Sequence, residues 1–550
     1  MSMQSHPSTS SHRAAPEGRS TWKSDVVSGF LVFLIALPLC LGIAMASGFP
    51  PVAGILTAVI GGVVSSWLGS ARLTIKGPAA GLIVIALGAV TELGGGDNSL
   101  GYRRALATIV VAAVIQILFA VLRTGKLGDF FPSSVVHGML AAIGVIICSK
   151  QMHTLLGVAP KAKNPLPLLA EIPHSVATMN PEIALIGVVS LVLLFGHAAL
   201  SKRVALLKRV PGPLLVLLFA VPMGLYFDLD HEHTISFSRD MFTVGPKFLV
   251  NLPGNLMSAI TFPDFSAVFS SVSLKYITMF ALVGSIESLL SAKAVDMLDP
   301  EKRRSDLDKD LLATGTGNLI AGLLGGLPMI SEIVRSSANI GYGARSRLSN
   351  FFHGLFLLLF VAGAPMLIHR IPLAALAAML IFTGVRLASP REFVKTFRIG
   401  AEQLLIFSFT LGVTLATDLL VGVASGIVLK VVVHLINGAP LVGLFRPKIE
   451  EHRVGGQVVL RVRHAAVFTN FLKLKKQLAR HAEARHVEVD LTEAKLVDHT
   501  VMERLHELEG EFSREGRHLS IRGLEQHRSL SAHPLSARKK GAKSTLGLSS

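Results

Sequence analysis

Cysteine is nearly absent, with Cys40 and Cys148 the two thiols in 550 residues. Two cysteines cannot staple a chain of this length, so a disulfide scaffold is excluded. Both lie in apolar runs, where a thiol reads as packing. Charge is scarce as well. Charged residues are 16% of the chain, against about a quarter in a soluble protein. Hydrophobic residues make up 51% and the mean hydropathy is +0.56, which excludes a disordered chain and an ordinary soluble enzyme. The 50 glycines follow no phosphate-loop or dinucleotide pattern, and no His/Cys/Asp cluster has metal-ligand spacing. The chain reads as an integral membrane protein.

The formal net charge is +17. Lys and Arg gather in short clusters between apolar runs and toward the C-terminal end, as topology-setting loops do, so nucleic acid is not expected as a partner. Residues 1–22 are polar and read as a disordered cytoplasmic lead. Val26 to Ala46 is almost uncharged and, at about 1.5 Å per residue, long enough to cross about 30 Å of hydrocarbon. Ala44-Met45-Ala46 resembles a cleavage site, which makes a signal peptide the competing reading. The length of the run and the many similar runs after it favour a first span. Further runs fall near 51–69, 77–92, 104–122, 133–150, 183–200, 211–227, 275–296, 308–325, 331–343, 350–368, 371–388, 402–417 and 419–437, giving about fourteen spans. With strict alternation, the loops holding Arg123 and Lys126, Lys202 to Arg209, Lys302 to Arg304, Arg345 and Arg347, and Arg391 to Arg398 share one side. The positive-inside bias therefore predicts both termini in the cytoplasm of a cell inner (plasma) membrane protein.

Two runs are abnormal. The third begins Ser70-Ala71-Arg72-Leu73-Thr74-Ile75-Lys76-Gly77-Pro78-Ala79-Ala80-Gly81. The tenth begins Gly325-Gly326-Leu327-Pro328-Met329-Ile330-Ser331-Glu332-Ile333-Val334-Arg335. Each is a short helix preceded by a β-like or Gly/Pro-broken stretch, and the two are seven spans apart. Interrupted segments at corresponding positions of two halves point to an inverted-repeat transporter with a midplane site, because irregular backbone at that depth must be satisfied by protein or a wet cavity. Past residue 440 the pattern changes. Gln457–Arg463, His486–Leu491 and His518–Arg522 read as strands, Thr469–Ala484 and Thr500–Phe512 as helices, which together predict a small α/β domain. Residues 531–550 are basic and Ser-rich and read as a disordered tail.

With these features in view, the chain resembles the SulP family of sulfate permeases and related anion transporters over nearly its whole length. The resemblance rests on Ala36-Leu37-Pro38-Leu39 and Ala46-Ser47-Gly48-Phe49-Pro50-Pro51-Val52-Ala53-Gly54, on Thr74 to Pro78, and on Gly144 with Lys150-Gln151. It rests also on Asp418-Leu419-Leu420-Val421-Gly422-Val423-Ala424-Ser425-Gly426. The C-terminal part looks like a STAS domain, with Val489-Asp490-Leu491 as its central strand and Asp498-His499-Thr500 at the family's Asp-Ser-Ser-Gly-like turn. The resemblance implies a transporter domain over 23–440 built as seven plus seven inverted spans, a uracil-permease-like core and gate, a STAS domain over 441–530, and a homodimer. It also implies a substrate between facing half-helices three and ten. Lys76 stands where the family has a small polar residue, and Ser331-Glu332-Ile333 departs from the family's pattern before Arg335.

Half-helix N-termini present unpaired N–H groups and a positive dipole end, which suit an anion. The candidate substrate-binding residues are therefore Lys76, Gly77, Pro78, Ala79, Ser331, Glu332, Ile333 and Arg335. The bland reading of the small residues is tight helix packing, and that of the charges is a self-neutralising cluster. A lysine at a helix centre costs roughly 2.5–3.5 kcal/mol on insertion scales, so Lys76 needs a partner or water. Glu287 and Glu332 are the acids available, and Arg335 lies one turn beyond Glu332. With all four ionised the cluster is neutral. Protonating one carboxylate leaves it positive, so anion and proton favour each other's binding, the thermodynamic form of symport. By resemblance, Glu287 in Gly284-Ser285-Ile286-Glu287-Ser288-Leu289-Leu290-Ser291 holds the family's coupling acid, with sodium at Glu287 and Ser291 as the alternative to a proton. No cofactor beyond that ion is expected. His137 reads as a packed or pore-facing histidine, and Phe30 and Phe33 as cavity wall or as side chains facing lipid or core.

Thr500 carries two readings, a phosphorylated regulatory residue that alters a cytoplasmic partner's contacts and a plain N-cap. The leading expectation for the chain is secondary active transport of sulfate or bicarbonate across the bilayer, not enzymatic catalysis. A nucleobase permease, kept open by Glu332, an uncoupled anion channel, and a membrane-anchored STAS signalling protein are the alternatives.

Overall fold

Apolar runs joined by capping residues account for most of the architecture. The computed structural model describes residues 22–125, 132–162, 164–204, 207, 210–237, 240–251, 259–301, 303–454, 457–481 and 483–540. The expected disordered lead, up to residue 21, lies outside them. Among the described residues, eight helices are long and apolar enough to cross a membrane, from Trp22–Ala46 to Leu419–Ile436. Shorter apolar helices add Ala80–Gly94, Gly212–Tyr226, Leu348–Gly363 and Ala401–Ala416. Leu307–Leu324 and Ile333–Gly341 complete fourteen helical segments in the expected order. Several starts are fixed by side chains that accept orphan N–H groups: Asp97, Asn180, Ser270, Asp306 and Asp418 cap the fourth, sixth, eighth, ninth and fourteenth spans.

The helix pairings carry the inverted repeat. The fourth span packs on the ninth as the eleventh packs on the second. The first packs on the eleventh as the eighth packs on the fourth. The sixth packs on the twelfth as the thirteenth packs on the fifth, while the fifth and twelfth pack on each other. Adding seven to a span number maps each pair onto its counterpart. Spans one to four with eight to eleven form the core, and five to seven with twelve to fourteen form the gate.

Residues 441–540 form the STAS domain. Its sheet is built on Gln457–Ala466, which pairs in parallel with His486–Asp490 and Ala494–Val497 and antiparallel with Lys448–Val454; His518–Arg522 extends it on the side of His486–Asp490. Helices Phe471–Arg480 and His499–Arg514 bury Leu474, Leu478, Val501, Leu505 and Phe512 against that sheet. Residues 531–540 do not follow the expectation of disorder. Arg538–Lys540 is a strand between Ala494–Val497 and His527–Ser529, so the folded unit reaches at least residue 540. A strand of three basic residues has no apolar alternation to announce it. The rest of the expected tail, 541–550, lies outside the described residues.

Candidate functional site

The two breaks meet. Ile75–Pro78 pairs antiparallel with Met329–Glu332, in the register Ile75 to Glu332, Lys76 to Ser331, Gly77 to Ile330 and Pro78 to Met329. Half-helices Ala80–Gly94 and Ile333–Gly341 leave this two-stranded junction. The junction is held at both ends. Ile75 N–H donates to Ser336 Oγ at 2.8 Å, and Met329 N–H to Asn318 Oδ1 of the ninth span at 2.6 Å. The polar backbone of the breaks is thus satisfied by protein, as an apolar surround requires.

Lys76 and Arg335 are both 1% exposed, and neither faces open space. The partners expected for Lys76 were Glu287 and Glu332, and this is corrected: its ammonium donates to both carboxylate oxygens of Asp310 at 2.8 Å and to Ser331 Oγ at 2.9 Å. Arg335 passes beneath the strand, donating to the Pro78 carbonyl at 2.6 Å and to Cys40 Sγ at 3.4 Å. Gly77 makes that passage possible, since a Cβ there would lie 2.6 Å from Arg335 Nη1. Glu332 Oε1 lies 3.9 Å from Arg335 Nη2, so the pairing expected one turn apart is present at the limit of ion-pair distance. Adding Asp310 to the charge count turns the neutral cluster into one of net −1 when every group is ionised.

A cavity of about 660 Å³ starts at this junction and runs to the STAS domain. Ala80, Gly81, Glu287, Ser291, Glu332 and Ile333 wall its deep end. Arg304, Lys475 and Glu503 wall the other. Lys76, Gly77, Pro78, Ala79, Ser331 and Arg335 do not reach its wall; they form the layer behind it. Glu287 is 7% exposed, and its Oε1 has no hydrogen-bond partner among the described residues. Gly81 leaves room for it, because a Cβ there would collide with that oxygen. His137 lines the cavity as one of its two expected readings has it. Phe30 and Phe33 pack on Phe356 and Phe360 instead.

With that geometry in place, the whole membrane region can be compared with known proteins. The model of the sulfate permease family matches residues 22–410. The chain belongs to the sulfate permease family. It is 30% identical over 414 residues to the putative sulfate transporter YvdB of Bacillus subtilis, covering 75% of this chain and 73% of that one. It is 26% identical over 405 residues to the bicarbonate transporter BicA of Synechocystis, covering 74% and 68%. Among solved structures, the transmembrane domain of a cyanobacterium bicarbonate transporter BicA matches with a TM-score of 0.62 at 24% identity, over 74% of this chain and 98% of that one. SLC26A9 matches with a TM-score of 0.66 at 14% identity, over 91% and 84%. At these identities the two structures establish the shared fold. Membership in this family makes the chain an anion transporter and not an enzyme.

Two site features of this sulfate permease family member escaped the reading of its sequence. Asp310 follows Asp306 and Asp308 in the first turn of its helix, where acids read as ordinary companions of the helix dipole. Its 1% exposure is a tertiary fact. In the STAS domain, the cap of His499–Arg514 is Asp498, which accepts from Val501 N–H at 2.7 Å; Thr500 is not the N-cap. Thr500 is fully buried, and its Oγ1 accepts from Lys430 Nζ of the fourteenth span at 2.8 Å.

Proposed function

We propose that this chain is a secondary active transporter that moves sulfate or bicarbonate with a proton, the anion being held where the two half-helices converge. The names of its relatives support sulfate and bicarbonate as the candidates. The observation that carries the reading is Glu287, a buried carboxyl on the wall of the cavity at the junction with an oxygen that has no partner among the described residues. An ionised carboxylate there is expensive and repels an anion. A proton removes both costs, so proton and anion bind better together than apart. Arg335 and the half-helix N-termini, with Gly77, Pro78, Ala79 and Ser331 shaping the backbone behind the wall, supply the positive bias. Glu332 and Ile333 form the wall itself. Lys76, whose charge Asp310 compensates, acts from the second layer.

A sodium ion at Glu287 and Ser291 is the competing coupling ion, because Ser291 lines the same wall one turn on. The cavity and the paired breaks count against spans that merely anchor a STAS domain. We place the protein in the cell inner membrane as a homodimer, both termini and the STAS domain in the cytoplasm, where Thr500 is the candidate regulatory residue.

Radiolabelled sulfate and bicarbonate uptake into proteoliposomes, with imposed proton or sodium gradients, tests the reading. Accumulation against the anion gradient is expected to follow the proton gradient and to be lost in Glu287→Gln. Uptake that never exceeds equilibrium marks a channel, and competition by uracil marks a nucleobase permease. Uptake indifferent to pH, with Glu287→Gln intact, would falsify the proton coupling.

A further inference from the structure

The ammonium of Lys76 sits in a shell made of oxygen. Asp310 gives it two carboxylate oxygens at 2.8 Å and Ser331 a hydroxyl at 2.9 Å. Ser331 Oγ in turn donates to Asp310 Oδ2 at 3.0 Å. Ser288 Oγ lies 3.4 Å from that hydroxyl and 3.2 Å from Thr314 Oγ1. All of these side chains are buried, none more than 1% exposed. The oxygens on the ammonium therefore come from the ninth span and the strand before half-helix ten, with Ser288 of the eighth span one hydrogen bond behind them, while the occupant comes from the strand before half-helix three.

The backbone around Lys76 is fixed without its side chain. Strand pairing sets its register, and its N–H donates to Asn350 Oδ1 at 3.3 Å. What the side chain adds is one positive charge delivered to Asp310, which would otherwise be a buried, uncompensated carboxylate. A compact, strongly hydrated point charge among carboxylate and hydroxyl oxygens is also the environment that a small hard cation takes.

We propose that Lys76 is a tethered cation filling a monovalent-cation site formed by Asp310 and Ser331, with Ser288 held behind Ser331, and that a sodium ion takes this site when the ammonium is removed. The two half-helices of this chain are thereby joined without a free ion at that position. The proposal rests on the geometry of the junction and not on the transport reading, and its test reads stability, so the two fail separately.

The experiment is thermal unfolding of the purified full-length protein in sodium chloride and in choline chloride at equal ionic strength. Lys76→Ala is expected to unfold several degrees below wild type in choline and to recover saturably with sodium. That increment is expected to exceed any sodium effect on wild type and to vanish in the Lys76→Met/Asp310→Asn double variant, which removes the charge on both sides. A Lys76→Ala protein that gains nothing from sodium beyond the wild-type response, or that aggregates equally in both salts, overturns the proposal. So does an equal sodium response in the double variant.

Discussion

Glu287 and Gly81 illustrate how little room the centre of this molecule leaves for change. The glycine exists at a point where any β-carbon would meet the carboxyl group of Glu287. Gly81→Ala is expected to fold, since the far end of a flexible side chain can swing aside, yet to lower uptake by at least about tenfold through the displaced carboxyl. Parallel measurement of the melting temperature and of initial uptake rate separates the two effects. Asp310→Ala behaves in the opposite sense. It strands the Lys76 charge in a dry interior, a loss of about 3–5 kcal/mol for a buried pair broken on one side, read as a fall in unfolding midpoint. Lys76, Arg335, Glu287 and Glu332 were legible in the sequence because a charge inside an apolar run is conspicuous. Asp310 was not, because its run begins with a cluster of acids and three-dimensional packing decides which of them turns inward.

At the scale of elements, the helix His499–Arg514 concentrates the contacts between the two domains. Asp498 caps it, accepts from Phe468 N–H at 3.0 Å, and lies 3.7 Å from Lys430 Nζ and 3.4 Å from His434 Nε2 of the fourteenth span. Asp498→Ala therefore removes an N-cap, about 0.5–2 kcal/mol, and leaves a buried ammonium with the Thr500 hydroxyl and the Phe468 ring but without its nearest carboxylate. Faster proteolysis of the link after Ile436 is the expected readout. One turn further, the Ser133 hydroxyl donates to Glu503 Oε2. Burial pushes the Glu503 carboxyl up, but that hydrogen bond and the charges of His499, Arg504 and His137 outweigh it and hold it below the ordinary glutamate range. A depressed value in the docked state means stabilisation that is present above the ordinary range, near pH 4.3, and lost as pH falls through the depressed value. Hydrogen exchange at Ser133 to Met139 is expected to quicken below about pH 4, and Glu503→Gln to flatten that dependence. The spans, the breaks and the main STAS elements could be read from periodicity. Lys448–Val454 and Arg538–Lys540 could not: the first is an edge strand whose charged residues mask the alternation, and the second, held between two other strands, is three basic residues with no alternation at all.

Across the whole molecule, the STAS domain touches both parts of the transporter. Ser133, Lys430 and His434 belong to the gate, and Ser531 Oγ donates to the Ile399 carbonyl on the same side at 2.6 Å. Arg304, on the loop between the eighth and ninth spans of the core, reaches Glu515 at 2.8 Å and Glu511 at 3.8 Å. The two attachments differ in kind. Those of Lys430 and Thr500 to each other are fully buried, whereas Arg304 is 47% exposed, and a pair so wetted contributes about 0–1 kcal/mol and weakens with salt. Arg304→Glu alone is expected to leave the melting temperature within a degree or so of wild type, and raising ionic strength to reproduce its effect on uptake rate. A helix moored firmly to one bank and loosely to the other has a built-in order of release: any sliding of core against gate would part the cord at Arg304 first and leave the domain berthed on the last span.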